Sequence, residues 1–260
     1  MLSYSLRRAV HSIGVALIVV VLVFFVGRIV GDPARLMLPV DALPEQFESL
    51  RERLGLNEPL LTQFLTFLAG ALRGDFGDSF WQKVPALDLV LSRLPATLLL
   101  AAATMAIALP SAIMLGALAV LKPGSWADRA VNVASLSGVS IVDFWLGLML
   151  ILIFSVQLGW LPTSGYGGVQ YIILPAVVLA VSPLGRVAQI TRSAMLDEMS
   201  KPYIRAARAK GMSRRQAIFR HGLKNAFVPI ITMAGDETTS VLNGAVVIEA
   251  VFAWPGVGLL

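Results

Sequence analysis

The sequence predicts an all-α fold, a polytopic bundle of membrane helices with five spans. Three observations carry that prediction. Hydrophobic residues make up 57% of the 260-residue chain and charged residues only 14%, whereas an ordinary soluble domain is about a quarter charged. The deficit lies in long uncharged runs, not in the helix- or strand-period alternation that a soluble core needs. The basic residues sit mainly in one loop between those runs, a placement that fixes membrane orientation.

Each span runs close to the roughly 20 residues needed to cross a bilayer. The first, from about Ala9 to Val30, follows Arg7 and Arg8. It resembles a signal peptide, but no small-residue cleavage site follows it and Arg28, Ile29 and Val30 extend it, so an uncleaved helix is expected. The second, about Leu94 to Leu121, is rich in Ala and Leu and contains Pro110. The third runs from about Val131 to Leu158. The fourth, about Tyr171 to Ile190, contains Pro175 and Pro183, and the fifth covers about Ala226 to Phe252. Prolines inside spans are tolerated where neighbouring helices satisfy the freed backbone groups.

Charge sets the expected orientation. Between Arg192 and Lys224 nine Lys and Arg stand against Asp197 and Glu198, which places this loop in the cytoplasm. Alternation then puts the turn from Lys122 to Arg129, and the N-terminus, on the same side. Residues 31–93, with nine acids and six bases, lie outside. Within them, Pro44 to Leu54 and Leu60 to Leu72 have helical spacing and are expected to form short helices at the outer face. The organisation is therefore residues 1–30 as cytoplasmic N-terminus and first span, 31–93 as outer segment, and 94–260 as a core carrying the loop 192–225.

Composition also excludes. The net charge of +5 and pI near 9.9 could suggest nucleic acid, but the basic residues flank spans, so no nucleic-acid partner is expected. With no cysteine, disulfides, thiolate catalysis and Cys-ligated zinc are absent. His11 and His221 form no metal-binding pair. Ser164 has no histidine base on its side of the membrane, which argues against a membrane serine protease. No Gly-x-x-x-x-Gly-Lys-Ser/Thr phosphate loop occurs, so neither ATP nor another cofactor is expected on this chain, nor an enzymatic activity.

The cytoplasmic loop carries Tyr203-Ile204-Arg205-Ala206-Ala207-Arg208-Ala209-Lys210-Gly211-Met212-Ser213, then Arg220-His221-Gly222-Leu223-Lys224-Asn225-Ala226 and Pro229. Pro202 suits the first turn of a helix. The alanines favour helix and leave a low-relief surface. Gly211 suits a left-handed closing position, and Ser213 with Gln216 forms a capping box for the next helix. A basic loop that only anchors to lipid headgroups is the plainer alternative. The pattern closely resembles the loop signature of ABC importer permeases, with Ala206, Ala207 and Gly211 at matching positions and Arg205 where the general signature has a glutamate. The resemblance extends through Gly31-Asp32-Pro33, Leu54-Gly55-Leu56-Asn57-Glu58-Pro59, Arg73-Gly74-Asp75-Phe76-Gly77, Gly159-Trp160-Leu161-Pro162-Thr163-Ser164-Gly165 and Glu249-Ala250-Val251-Phe252-Ala253-Trp254-Pro255-Gly256. Together these look like the first permease of dipeptide, oligopeptide and nickel importers, the long outer segment favouring that member.

The resemblance implies a type I ABC importer transmembrane fold in a bacterial or archaeal plasma membrane. It implies a different second permease, two ATP-binding subunits, and an extracytoplasmic solute-binding protein that delivers a peptide or a related small solute such as a nickel chelate. Arg205, Ala206, Ala207, Arg208, Lys210 and Gly211 would form the contact with the ATPase. It also implies a sixth span after the Trp254-Pro255-Gly256 turn; the chain stops at Leu260, where that span would begin, and so reads as truncated.

Ionisable residues within spans are rare and are functional candidates by default. Asp143 lies in the third span, Asp236 and Glu237 in the fifth, and Glu249 near its outer end. They could line a wet pathway, or pair with partner-subunit residues and cap local backbone. An ion-coupled secondary transporter using intramembrane carboxylates as a proton relay is the alternative function.

Overall fold

The computed structural model describes residues 2–30, 34–35, 38, 42–79 and 82–260. The motif Gly31-Asp32-Pro33 lies outside the described residues. The helices are α1 (Leu2–Val30), α2 (Pro44–Arg53), α3 (Leu60–Ala71), α4 (Ala86–Leu121), α5 (Trp126–Ser140), α6 (Asp143–Leu150), α7 (Val169–Ser200), α8 (Pro202–Ala209), α9 (Arg214–Ala217) and α10 (Leu223–Val251). α6 continues as a π-helical stretch to Gln157, and a second π-helical turn, Ile218–Gly222, joins α9 to α10. Among the described residues the only β-type pairing is an isolated bridge between Asp78 and Pro85. The fold is all-α, as the hydropathy pattern predicts.

The chain divides into two compact units, Met1–Leu89 and Val90–Leu260. In the first, the apolar window of α1 has a mean hydropathy of 2.8 and no buried residue, which suits a helix bathed in lipid. Its Phe24 ring lies 5.3 and 5.5 Å from those of Phe64 and Phe67 on α3. α2 and α3 form where the apolar spacing places them, α2 opening on Pro44, whose missing N–H is not needed there.

In the second unit α7 is the helix against which the others pack, through small residues that let backbones approach. A Cβ built on Gly116 of α4 would lie 2.7 Å from the Cβ of Thr191 on α7, and one on Gly185 of α7 would lie 2.5 Å from the carbonyl oxygen of Ser135 on α5. One core cluster gathers Leu100, Leu174, Val178, Ile248, Phe252 and Trp254 at one end. A second gathers Val120, Val187, Met195, Ile218, Ala226 and Ile230 at the end that carries α8 and α9.

Two predicted spans take a different form. The third is not one helix from Val131 to Leu158: the chain bends by 100° between α5 and the α6 helix with its extension. The break falls at Ile141 and Val142, β-branched residues that are poor helix formers and adopt extended backbone here. Asp143 then sits in the first turn of α6, where a carboxylate is favoured by the helix dipole. Asp143 is thus at a helix start and not in the middle of a straight span. The fifth predicted span forms as the 29-residue α10, roughly 44 Å long at 1.5 Å per residue. It is nevertheless not among the helices apolar enough to qualify as a span by composition, which are those of α1, α4 and α7 with the bent pair as a fourth. Asp236, Glu237, Thr238, Thr239, Ser240 and Asn243 dilute its hydropathy.

The close approach of α4 to α7 makes a specific demand. Gly116→Ala forces overpacking against Thr191 and the Ala188 carbonyl, at a cost of about 1–3 kcal/mol. Its melting temperature in detergent is expected to fall by several degrees, whereas Gly14→Ala, with nothing within 4 Å of the added methyl, should match or exceed the parent. Equal melting of both variants would refute the packing argument.

Candidate functional site

The loop between α7 and α10 folds as its sequence suggests. Pro202 opens α8, and Ile204 is fully buried as an apolar pin beneath it. Arg205, Ala206, Arg208, Lys210 and Gly211 face outward, with Ala207 half-buried. Gly211 has φ +92°, the left-handed region that glycine favours, and its N–H donates to the Arg208 carbonyl at 3.0 Å. The capping box closes the turn. The Gln216 N–H donates to Ser213 Oγ at 3.3 Å, and the Ser213 N–H donates to Gln216 Oε1 at 3.1 Å. The sequence-predicted residues Arg205, Ala206, Ala207, Arg208, Lys210 and Gly211 therefore lie together on one short helix and its closing turn.

Polar ties hold this unit in place. At the end of α7 the Glu198 carboxylate accepts from Lys201 Nζ at 2.5 Å and from the Tyr203 hydroxyl at 2.6 Å. Asn225, in the first turn of α10, donates its side-chain amide to the same hydroxyl at 2.6 Å. The bond to Glu198 holds the Lys201 ammonium above the usual lysine range. Partial burial of the phenol, and then its bond to Glu198, push Tyr203 up as well, so its proton stays on at neutral pH. Arg214 Nη2 donates to the Val120 carbonyl at 3.2 Å, tying α9 to the end of α4. Nearby, Arg192 of α7 donates from Nε and Nη2 to Asp128 at 2.6 and 2.9 Å, fastening the first turn of α5 to α7.

Three of the four candidate pathway carboxylates gather around a cation that the sequence reading passed over. Arg186, in α7, donates from Nε and Nη2 to the two carboxylate oxygens of Glu237 in α10, at 2.6 and 2.8 Å. The Glu237 side chain is 2% exposed and that of Arg186 37%, so the pair has a buried end and an open end. Asp143, half-buried, and Asp236, exposed, both lie within electrostatic reach of the guanidinium. Arg186 falls inside the predicted fourth span; tallying the cations in spans along with the acids would have found it. Glu249 sits apart. It is fully buried, accepting from Thr97 Oγ1 at 2.6 Å and from the Gly258 N–H at 2.7 Å, while the Trp254 indole donates to the Ala96 carbonyl at 2.9 Å. Its carboxylate holds the Trp-Pro-Gly turn against α4 at Ala96 and Thr97.

On α10 the polar residues Thr232, Asp236, Thr239 and Asn243 are all exposed and recur at i, i+4, i+7 and i+11, which is one helix face. Such a face does not suit hydrocarbon.

Comparison with known proteins places the chain in a family. Residues 112–260 match the family model described as binding-protein-dependent transport system inner membrane component, and residues 1–101 match the N-terminal model of such membrane components. The glutathione transport system permease protein GsiC of Escherichia coli (strain K12) is 40% identical over 261 residues, covering all of this chain and 85% of GsiC. The oligopeptide transport system permease protein AppB of Bacillus subtilis is 39% identical over 272 residues, covering all of this chain and 86% of AppB. The chain belongs to the family of binding-protein-dependent transport system inner membrane components, ABC importer permeases of the type I transmembrane fold.

Proposed function

We propose that this chain is the first of two different permeases in an ATP-driven peptide importer, with α8 as its contact to the ATPase and the exposed face of α10 as part of the pathway wall. The N-terminus and the loop 192–225 then face the cytoplasm, residues 31–93 lie outside, and 94–260 form the permease core. A binding protein delivers the peptide from outside, and a pair of ATP-binding subunits supplies the hydrolysis.

The observation that carries this reading is the α8–Gly211 unit. An eight-residue helix presents alanines and cations outward and ends in a glycine turn, while Ile204 is buried beneath it. That shape suits insertion into a groove of a second protein. Arg205, Arg208 and Lys210 supply electrostatic support, and Ala206, Ala207 and Gly211 the close contact. Coupling requires that the groove distinguish two ATPase arrangements, since equal affinity for both would shift nothing.

The relatives named for glutathione and oligopeptide transport support a peptide as cargo. A peptide carries both charges, and the cluster of Arg186, Asp143, Asp236 and Glu237 beside the polar face of α10 offers both signs. Co-purification of the tagged chain from its native membrane, with mass spectrometry of its companions, tests the whole reading. Recovery of a second permease and ATPases is the expected result; recovery of the chain alone, with uptake surviving ATP depletion, would overturn it.

Two variants probe its parts. Gly211→Val places a β-branched residue at φ +92°, where the closing turn cannot form without strain, although no neighbour lies within 4 Å. It is expected to insert normally yet import no peptide, measured as radiolabelled tripeptide uptake in cells; normal uptake argues against the coupling role. Glu237→Gln removes the carboxylate that bonds Arg186 directly, leaving only Asp143 and Asp236 within its electrostatic reach. Stability in detergent, read from the melting curve, should fall by less than the about 3–5 kcal/mol of a fully buried pair, because Arg186 is partly open. Replacing both, Arg186→Met with Glu237→Leu, should recover most of the stability while still abolishing uptake. Wild-type uptake by the double variant would remove the cluster from the pathway.

A further inference from the structure

We infer that the Tyr203 hydroxyl is a positioning group that makes α8 and the first turn of α10 move as one body. This rests on the coupling role proposed for α8.

α8 has eight residues and hangs between two weak joints. At one end a single extended residue, Lys201, links it to α7; at the other, Gly211 sits in a left-handed turn with open space around it. Ile204 pins it to the core, but an apolar contact is non-directional and allows the helix to slide or tilt. The Arg214 bond to Val120 holds α9, not α8. Among the hydrogen bonds of the described residues, the tie that runs from α8 straight to α10 is the one through Tyr203.

A phenolic hydroxyl has one proton to donate and lone pairs to accept with. Tyr203 uses both: it donates to Glu198 at 2.6 Å and accepts from Asn225 at 2.6 Å. One oxygen thereby joins the end of α7, the start of α8 and the start of α10. The donation to a carboxylate makes that bond charge-assisted and fixes the direction of the hydroxyl, which leaves its lone pairs turned to Asn225.

The first turn of α10 needs such a tie. Pro229 lies inside α10 and has no N–H, so the helical bond to the carbonyl of the residue four before it, Asn225, is missing. The turn around Asn225 is thus the place where α10 can pivot. Beyond it the helix runs about 17 Å, over 11 residues, to Asp236, and Glu237 is clamped to α7 by Arg186. Displacement of α8 reaches the polar face of α10 through a weakened turn whose orientation Tyr203 sets.

The test uses the whole importer, this chain with its partner permease, ATP-binding subunits and binding protein, reconstituted in liposomes with tri-alanine and glutathione as probes. Peptide imported per ATP hydrolysed is measured for Tyr203→Phe, Asn225→Asp, the two combined, and Gly14→Ala as a control outside the loop. Tyr203→Phe keeps the ring and removes both bonds. Asn225→Asp replaces the amide donor by a second carboxylate competing for one proton. Both are expected to lower the ratio by about fivefold or more, with subunit stoichiometry unchanged and the double variant no worse than the poorer single. Gly14→Ala, with nothing within 4 Å of the added methyl, should retain the wild-type ratio. Wild-type ratios in both single variants, or losses that merely track missing ATPase subunits, would overturn the inference. A wild-type preparation lacking ATPase subunits would instead overturn the coupling role beneath it.

Discussion

A charge in hydrocarbon must find its counter-charge inside the protein, and the Arg186–Glu237 pair is where that constraint organises this chain. The bidentate bond sets the register of α10 on α7. The residue next to Arg186, Gly185, lies so close to the Ser135 carbonyl that α5 must pack on the neighbouring face of the same helix segment. A turn and a half further along α7, Thr191 meets Gly116 of α4. Three helices are therefore located by one stretch of α7, by an ion pair on one side and by missing side chains on the others. The two core clusters lie towards the two ends of α7 and are arranged by these crossings.

Much of this was legible in the sequence because it is written locally. Hydropathy locates the long helices, since burial in lipid asks only for apolar length, although α1, α4 and α7 each run seven to ten residues past one predicted end. The α8 unit is legible for a different reason: Pro202, Gly211, Ser213 and Gln216 each act on backbone within four residues of themselves. The break at Ile141 and Val142 was not legible, because those residues are as apolar as the span around them and hydropathy is blind to backbone direction. Arg186 and Glu237 were not seen as a pair because 51 residues separate them, and nothing in either neighbourhood names the other. Glu249 looked like a pathway residue from its position near a helix end; its partner Thr97 lies 152 residues away. Spans follow from composition, whereas what faces what depends on helix crossings that composition does not encode.

The chain thus divides its polar residues by task. Some are enclosed and hold helices together, such as Glu249 and Asp128. Others stand on exposed faces, such as Asp236 and Asn243. The Arg186–Glu237 pair belongs to both groups, with one partner enclosed and the other partly open. A single ion pair can thereby serve packing and present charge at once.

The enclosure of Glu249 has a consequence for biosynthesis. Its carboxylate is satisfied by the Thr97 hydroxyl, about three turns into α4, and by an amide beyond the end of α10, and no cation is among the donors described for it. The ribosome delivers α4 long before α10, so α4 must wait in the membrane with the Thr97 hydroxyl and Ala96 carbonyl facing an empty groove. Only when α10 arrives can the Trp254 indole and the Glu249 carboxylate fill it. Because loop closure over so great a sequence separation comes late and a buried carboxylate without donors is costly, this latch makes the docking of α10 on α4 an all-or-none step. A chain with a mispositioned α4 would leave that acid bare, a polar defect of the kind that membrane quality-control machinery can detect.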